Sequence, residues 1–195
     1  MSYKIIKNFV SKNEQNDLIE WIIDNKNNPG LFQDAGMTGS HRVTTRYSKD
    51  FSFPEVAYKI QRRIIDQLKF KDFKLPKYHH GIVASYAGEN DAIHKHRDPQ
   101  WYPPYETLHC NLMLQKPIEG GKPIINKTDI DLNERDLWCY YVSKVPHGSS
   151  KVIGTRPRLM YVFGFCVEYD LFSTKNRRIG LERENSFTTL PPQCQ

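Results

Sequence analysis

The sequence predicts an α+β protein that is mainly β: a sandwich or barrel of short strands backed by N-terminal helices. Three observations carry this. From about residue 78, β-branched and aromatic runs follow one another, each closed by turn residues. Two earlier stretches carry apolar residues four apart behind a helix-capping signature. The 195 residues hold no internal repeat and no low-complexity linker, and the length suits one domain with a sizeable core. The expected organisation is a single domain over 1–195, with a helical support over about 1–77 and a β core over about 78–170.

Taken in order, Tyr3 to Val10 reads as a short strand. Ser11-Lys12-Asn13-Glu14 is a capping box, in which Ser11 accepts from a backbone N–H and Glu14 reaches back. The helix behind it carries Leu18, Ile19, Ile22 and Ile23 as one stripe, and Asn27-Asn28-Pro29-Gly30 stops it. Residues 30–52 mix Gly, Ser, Thr and Asp, with one strand expected at Arg42 to Tyr47. A second box, Ser52-Phe53-Pro54-Glu55, opens a helix striped by Val56, Ile60, Ile64 and Leu68. The strand-like runs are Gly81 to Tyr86, Ala92 to His96, Thr107 to Leu114, Lys122 to Ile125, Trp138 to Val142 and Arg158 to Val167. Gly88-Glu89-Asn90-Asp91 and Glu119-Gly120-Gly121 are turn signals, and the tail from Asp170 is polar.

Composition narrows the function classes. Hydrophobic content is 38% and charged content 26%, the balance of a globular chain. No apolar run is long enough for a bilayer, and the start lacks a signal-peptide pattern, so the expectation is a cytoplasmic protein with no membrane partner. Cys110, Cys139, Cys166 and Cys194 show no C-x-x-C spacing and read as reduced thiols without a role. The formal charge is +6, with cations at Lys59 to Lys77 and Lys175 to Arg178. Neither cluster interleaves aromatics as a single-strand groove would, so both read as solvated faces and nucleic acid is not expected as a partner.

The chemistry lies in Ile93-His94-Lys95-His96-Arg97-Asp98. On an extended strand, His94, His96 and Asp98 project to one side, with Lys95 and Arg97 to the other. A His and a carboxylate two residues apart can grip one ion, and His147 is the best later candidate for a third ligand. Two His and one carboxylate leave coordination positions open, as in the facial triad of non-haem iron(II) oxygenases. Magnesium would ask for mostly oxygen ligands, and structural zinc for four closed ones. An H-x-D triplet alone is weak, because such triplets also fall in ordinary strands. Gly88 followed by His94-Lys95-His96 also matches half of a cupin metal motif, but Gln100 and Trp101 stand where a cupin needs Glu.

The company of the triplet adds weight. Ala84-Ser85-Tyr86-Ala87-Gly88 leads into His96-Arg97-Asp98. Further on come Leu108-His109-Cys110-Asn111-Leu112-Met113-Leu114, Glu119-Gly120-Gly121, Pro146-His147-Gly148, and Gly154-Thr155-Arg156-Pro157-Arg158 before a strand. In this order the blocks resemble the 2-oxoglutarate-dependent iron(II) dioxygenase superfamily, especially its prolyl-4-hydroxylase-like branch, over roughly residues 80–167. The resemblance implies a double-stranded β-helix, or jelly roll, and a hydroxylase acting on an unactivated C–H bond. It implies Fe(II) on His96, Asp98 and His147, 2-oxoglutarate as co-substrate, O2 as oxidant, and ascorbate as an optional reductant.

In that family a basic residue nine or ten positions past the distal His binds the far carboxylate of 2-oxoglutarate. Arg156, nine past His147, takes that place. Tyr86 is expected to add a hydroxyl donor. Arg158 departs from a small residue common in relatives. It either joins Arg156 at the co-substrate, pairs with an acid on the substrate, or is turned outward by a bulge. Met113 stands where some relatives carry a co-substrate tyrosine. The expected partner is a protein or small-molecule substrate: a peptidyl (prolyl) residue first, a free amino acid or small metabolite second, a nucleobase third. Pro99 to Tyr105, with Trp101 and Tyr105, would wall or cover it, or simply pack on the barrel. His41, Arg42 and Arg46 are further polar candidates. Asp98 argues against halogenation, which needs that ligand position vacated. The alternative is a non-catalytic or cupin-like barrel that binds a small acid or a partner protein.

Overall fold

The computed structural model describes residues 3–36, 42–46, 52–76 and 81–167. Its elements in order are β1 (Tyr3–Ile6), α1 (Lys12–Asn25), β2 (Phe32–Asp34), β3 (Val43–Thr45), α2 (Glu55–Leu68), β4 (Phe73–Lys74), β5 (Ile82–Ala87) and β6 (Ile93–His96). There follow β7 (Glu106–Gln115), β8 (Glu119–Gly120), β9 (Pro123–Ile125), β10 (Thr128–Asp129), β11 (Leu137–Tyr141), β12 (His147–Ser149), β13 (Val152–Ile153) and β14 (Arg158–Val167). The mainly-β expectation, with two supporting helices, is met.

The large sheet runs β1-β11-β7-β14-β5-β3-β2, with β4 also on β14. A smaller sheet runs β10-β9-β12-β6, and β8 and β13 form a ribbon. Residue parity decides what each face of the large sheet does, because successive side chains in a strand point to opposite faces. Leu108, Cys110, Leu112 and Leu114 of β7, Leu137, Cys139 and Tyr141 of β11, and Leu159, Tyr161, Phe163 and Phe165 of β14 form one face. They bury against Leu18 and Ile22 of α1 and Ala57, Ile60, Ile64 and Leu68 of α2. Each large side chain buried there is worth about 1.5–3 kcal/mol. The other parity, with Met113, Trp138, Tyr140 and Met160, turns toward Ile125, Ile130 and Leu132. Between this second face and the smaller sheet lies the cavity described below.

The capping box at Ser11 forms: its side chain accepts from the Glu14 N–H, and the Glu14 carboxylate accepts from the Ser11 N–H at 2.8 Å. The one expected at Ser52 does not. The helix begins at Glu55, with extended Pro54 at the N-cap and no side-chain cap. The proline disfavours helical geometry in Phe53, so Ser52 cannot be the cap. Strands of two or three residues, such as β2, β4, β8, β10, β12 and β13, are too short to show a period. Among the described residues no helix is long and apolar enough to cross a membrane. His41, Tyr47, Cys194 and the polar tail, with Lys175 to Arg178, lie outside the described residues.

Candidate metal centre

The smaller sheet brings two histidines together. His147 on β12 is the register partner of His96 on β6, and Ser149 is the partner of Ile93. Three steps on β6 therefore face two on β12, so one extra residue bulges from β6. This corrects the strict alternation expected of the strand. Ile93 and His96 line the cavity, while His94 is exposed on the outside. Gly148 lets the strands close on this bulge, since a Cβ there would stand 2.6 Å from the Ile93 carbonyl oxygen. Asp98 follows the strand and is tied to β11 through its N–H, which donates to the Val142 carbonyl at 3.1 Å.

His96, Asp98 and His147 each offer a ligand atom within 4.8 Å of the others. Both imidazoles are oriented by the backbone: Nδ1 of His96 donates to the His94 carbonyl at 2.6 Å, and Nδ1 of His147 to the Val145 carbonyl at 3.2 Å. A carbonyl can only accept, so each Nδ1 holds a proton and each Nε2 faces the cluster. His96 Nε2 stands 3.2 Å from Asp98 Oδ1, and the rings of His96 and His147 are 4.4 Å apart. Burial pushes His147 down to about 4, so it is neutral and able to ligate at pH 7. The hydrogen bond that His96 donates to Asp98 raises His96, against its burial. Burial would raise Asp98, but the His96 hydrogen bond and the charges of His109, His147 and His96 outweigh it and bring it to about 2. The donor set of two imidazoles and a carboxylate fits a divalent transition metal with open positions.

These three side chains line a cavity of about 170 Å³. Its other walls include Arg42, Thr44, Val83, Trp101, His109, Asn111, Trp138, Tyr140, Arg158, Met160 and Val162. Arg158, the first residue of β14, is buried to 1% exposure. Its Nη1 donates to the Gly121 carbonyl at 3.0 Å, whereas its Nη2 is buried without a partner among the described residues. Burial, then the charge of Arg42, pulls Arg158 down to about 9, so it stays charged at pH 7.

No protein-family model and no curated protein matches the sequence. Solved structures do match the fold. A prolyl-4-hydroxylase from Pseudomonas putida is 13% identical, with 87% of this chain and 94% of that one covered and a TM-score of 0.63. A viral collagen prolyl hydroxylase from Paramecium bursaria Chlorella virus-1, in its 2-oxoglutarate complex, is 16% identical, with 86% and 97% covered and a TM-score of 0.62. HygX from Streptomyces hygroscopicus, with nickel and 2-oxoglutarate bound, is 9% identical, with 86% and 84% covered and a TM-score of 0.61. The chain shares the fold of these solved structures.

Two placements within this fold correct the sequence reading. Arg156 does not reach the cavity. It sits in the turn between β13 and β14, half exposed, with Nη2 2.8 Å from Glu134. The turn puts the strand, and hence the inward guanidinium, two residues later at Arg158. Tyr86 does not line the cavity either. Its register partner is Leu159, on the face that meets the helices, and Lys26 lies over its ring at 5.0 Å. Trp101 does line the cavity, whereas Tyr105 packs under Lys74 at 4.5 Å. Arg42 lines it as well, while exposed Arg46 donates to the Pro29 carbonyl.

The sequence reading passed over Tyr140, Trp138, His109 and Asn111. Tyr140 packs edge-on to His147 at 5.1 Å and hydrogen-bonds to Asn111, and burial raises its hydroxyl. Nε1 of Trp138, also in the cavity wall, is another buried donor without a partner among the described residues. His109 Nδ1 is 3.8 Å from Asp98 Oδ2, and burial lowers its pKa. The usable signal was parity. His109 and Asn111 interrupt an apolar run at alternate positions, which marks the inward face of a central strand.

Proposed function

We propose that the protein is an Fe(II)- and 2-oxoglutarate-dependent oxygenase that hydroxylates a C–H bond. The observation that carries this reading is a juxtaposition. The His96, Asp98 and His147 cluster shares one cavity with Arg158, a buried guanidinium whose Nη2 has no partner among the described residues. An orphaned buried charged donor is costly, and an acceptor-only carboxylate satisfies it. A keto-diacid is the ligand class that would meet both groups.

In this reading His96, Asp98 and His147 hold iron, and Arg158 takes the far carboxylate of 2-oxoglutarate in place of Arg156. Tyr140, rather than Tyr86, offers the hydroxyl. Iron and 2-oxoglutarate together supply an O2-dependent oxidation that yields succinate, CO2 and the hydroxylated product. The chain itself binds, orients and shields. Val83, Met160 and Val162 line the cavity with apolar surface that keeps water from the reacting groups. Trp101, 50% exposed at the mouth, offers a wall for the substrate. The substrate is a peptidyl residue such as proline or a free amino acid or small metabolite. Nothing in the site supports ascorbate, and His94, facing outward, is in no position for a cupin-like site.

The test is anaerobic Fe(II) titration followed by succinate release in air. Wild-type protein should bind about one Fe(II) and release succinate from 2-oxoglutarate. His96→Ala, Asp98→Ala and His147→Ala should each lose both by at least about tenfold, in keeping with loss of one ligand in three. Iron-independent binding of 2-oxoglutarate, with no succinate from any of the four proteins, would instead favour a non-catalytic acid-binding barrel.

A further inference from the structure

Arg42 is not used by the site as described so far. It stands directly before β3, two residues from Thr44, and the two share the inward parity of that strand. Both line the cavity. Thr44 is the register partner of Ser85 on β5, and Arg42 Nη1 lies 3.5 Å from the Ser85 hydroxyl oxygen. The charge of Arg42 is felt across the cavity by Arg158, which it lowers. Two guanidinium groups therefore share a cavity of about 170 Å³, approached from different strands.

The proposed complex assigns 2-oxoglutarate to Arg158 and leaves Arg42 for another acid. In the proposed complex one end of 2-oxoglutarate is at the iron and the other is at Arg158. Arg42 then remains on the wall that also holds Thr44, and this wall and Trp101 border the space left for a substrate. A guanidinium fork is matched to a planar carboxylate and forms two parallel charge-assisted hydrogen bonds with it. An internal peptidyl residue offers only amides at that distance from its side chain. A free amino acid or comparable small acid offers a carboxylate. Resting on the oxygenase reading, we infer that Arg42 is the substrate anchor and that the substrate is a small molecule carrying a free carboxylate. This orders the two substrate classes, placing the small acid ahead of the peptidyl residue.

The experiment uses the full chain loaded with Fe(II) and 2-oxoglutarate under anaerobic conditions. Calorimetry follows binding of each of the twenty free L-amino acids, their C-terminal amides, and a proline-containing peptide blocked at both ends. Wild type, Arg42→Gln and Arg42→Lys are compared, and 2-oxoglutarate affinity is measured on each in the same series. At least one free amino acid should bind wild type, its amide at least about tenfold more weakly. Arg42→Gln should erase that difference and Arg42→Lys should restore part of it.

The inference is overturned if the blocked peptide binds and no free acid does. It is overturned if no probe binds in an Arg42-dependent way. It is also overturned if Arg42→Gln weakens 2-oxoglutarate as much as Arg158→Gln, since Arg42 would then belong to the co-substrate. Failure of wild-type protein to bind Fe(II) and 2-oxoglutarate at all would overturn the oxygenase reading, and this inference with it.

Discussion

Two arginines two residues apart have opposite surroundings, and this makes the co-substrate assignment separable by mutation. Arg158 is buried with one orphaned nitrogen, and Arg156 is half exposed and paired with Glu134. Removing a charge-assisted partner from a buried carboxylate costs about 1.5–3 kcal/mol, or tenfold to a hundredfold in affinity. Removing an exposed ion pair costs about 0–1 kcal/mol of stability and touches no ligand. Arg158→Gln should therefore weaken 2-oxoglutarate about tenfold to a hundredfold in a titration of Fe(II)-loaded protein. Arg156→Gln should leave the affinity within about twofold. The reverse order would return the anchor to Arg156. The sequence reading put Arg156 at the co-substrate and left Arg158 as an open second candidate, whereas of the two it is Arg158 that lines the cavity. It counted residues from His147, and the count does not reveal the turn that delays β14.

At the scale of elements, α1 and α2 are clasped by a charge pair. The guanidinium of Arg63 bonds to the Glu14 carboxylate and holds it at about 2, well below its usual 4.5, against the opposing effect of partial burial. A carboxylate with a depressed folded-state value contributes stability above its unfolded value, and that contribution is lost as pH falls toward the folded value. The Glu14 contribution should be complete above about pH 4.5 and gone near pH 2. Glu14→Gln keeps an acceptor for the Ser11 N–H but removes the charge. Urea midpoints of wild type and Glu14→Gln should therefore differ at pH 6 and converge as pH falls from 4.5 toward 2; a gap that stays constant with pH would assign the effect to the cap instead. The Ser11 box was legible from its local spacing, and the α2 stripe and the long strands β7 and β14 from a repeated period; of the expected α1 stripe Leu18 and Ile22 are buried, whereas Ile23 is exposed. The β6 bulge was not, because it appears only when Ile93 and His96 are matched against Ser149 and His147 on another strand. The Ser52 box failed for a local reason that was present in the sequence: the proline two residues later.

At the scale of the molecule, the candidate site is a joint between the two sheets. His96 and His147 come from the smaller sheet, Arg158 and Tyr140 from the larger one, and Asp98 from the segment tied to β11. The sequence named the three metal-capable residues because their types are rare and chemically specific. It passed over His109 and Asn111, although their alternate placement in an apolar run marked the polar face of β7, because only the fold shows that this face lines the cavity. A ligand set that spans both sheets also has a thermodynamic consequence. Fe(II) alone would link His96 of β6, His147 of β12 and Asp98, whose N–H bonds to Val142 just after β11. 2-Oxoglutarate held between the iron and Arg158 would add a link to β14. Any ligand that binds only the folded state stabilises it by mass action, about 2.7 kcal/mol at a hundred times its Kd. For a chain of this length that corresponds to a rise in Tm of about 5–10 °C. Anaerobic thermal melts should thus show one increment with Fe(II) and a second with 2-oxoglutarate that requires Fe(II). Arg158→Gln should keep the first increment and lose most of the second at the same concentration, while His96→Ala should lose both. A full 2-oxoglutarate increment without metal would mean that the diacid is held by the protein alone, and the joint between the sheets would then not depend on the histidine cluster.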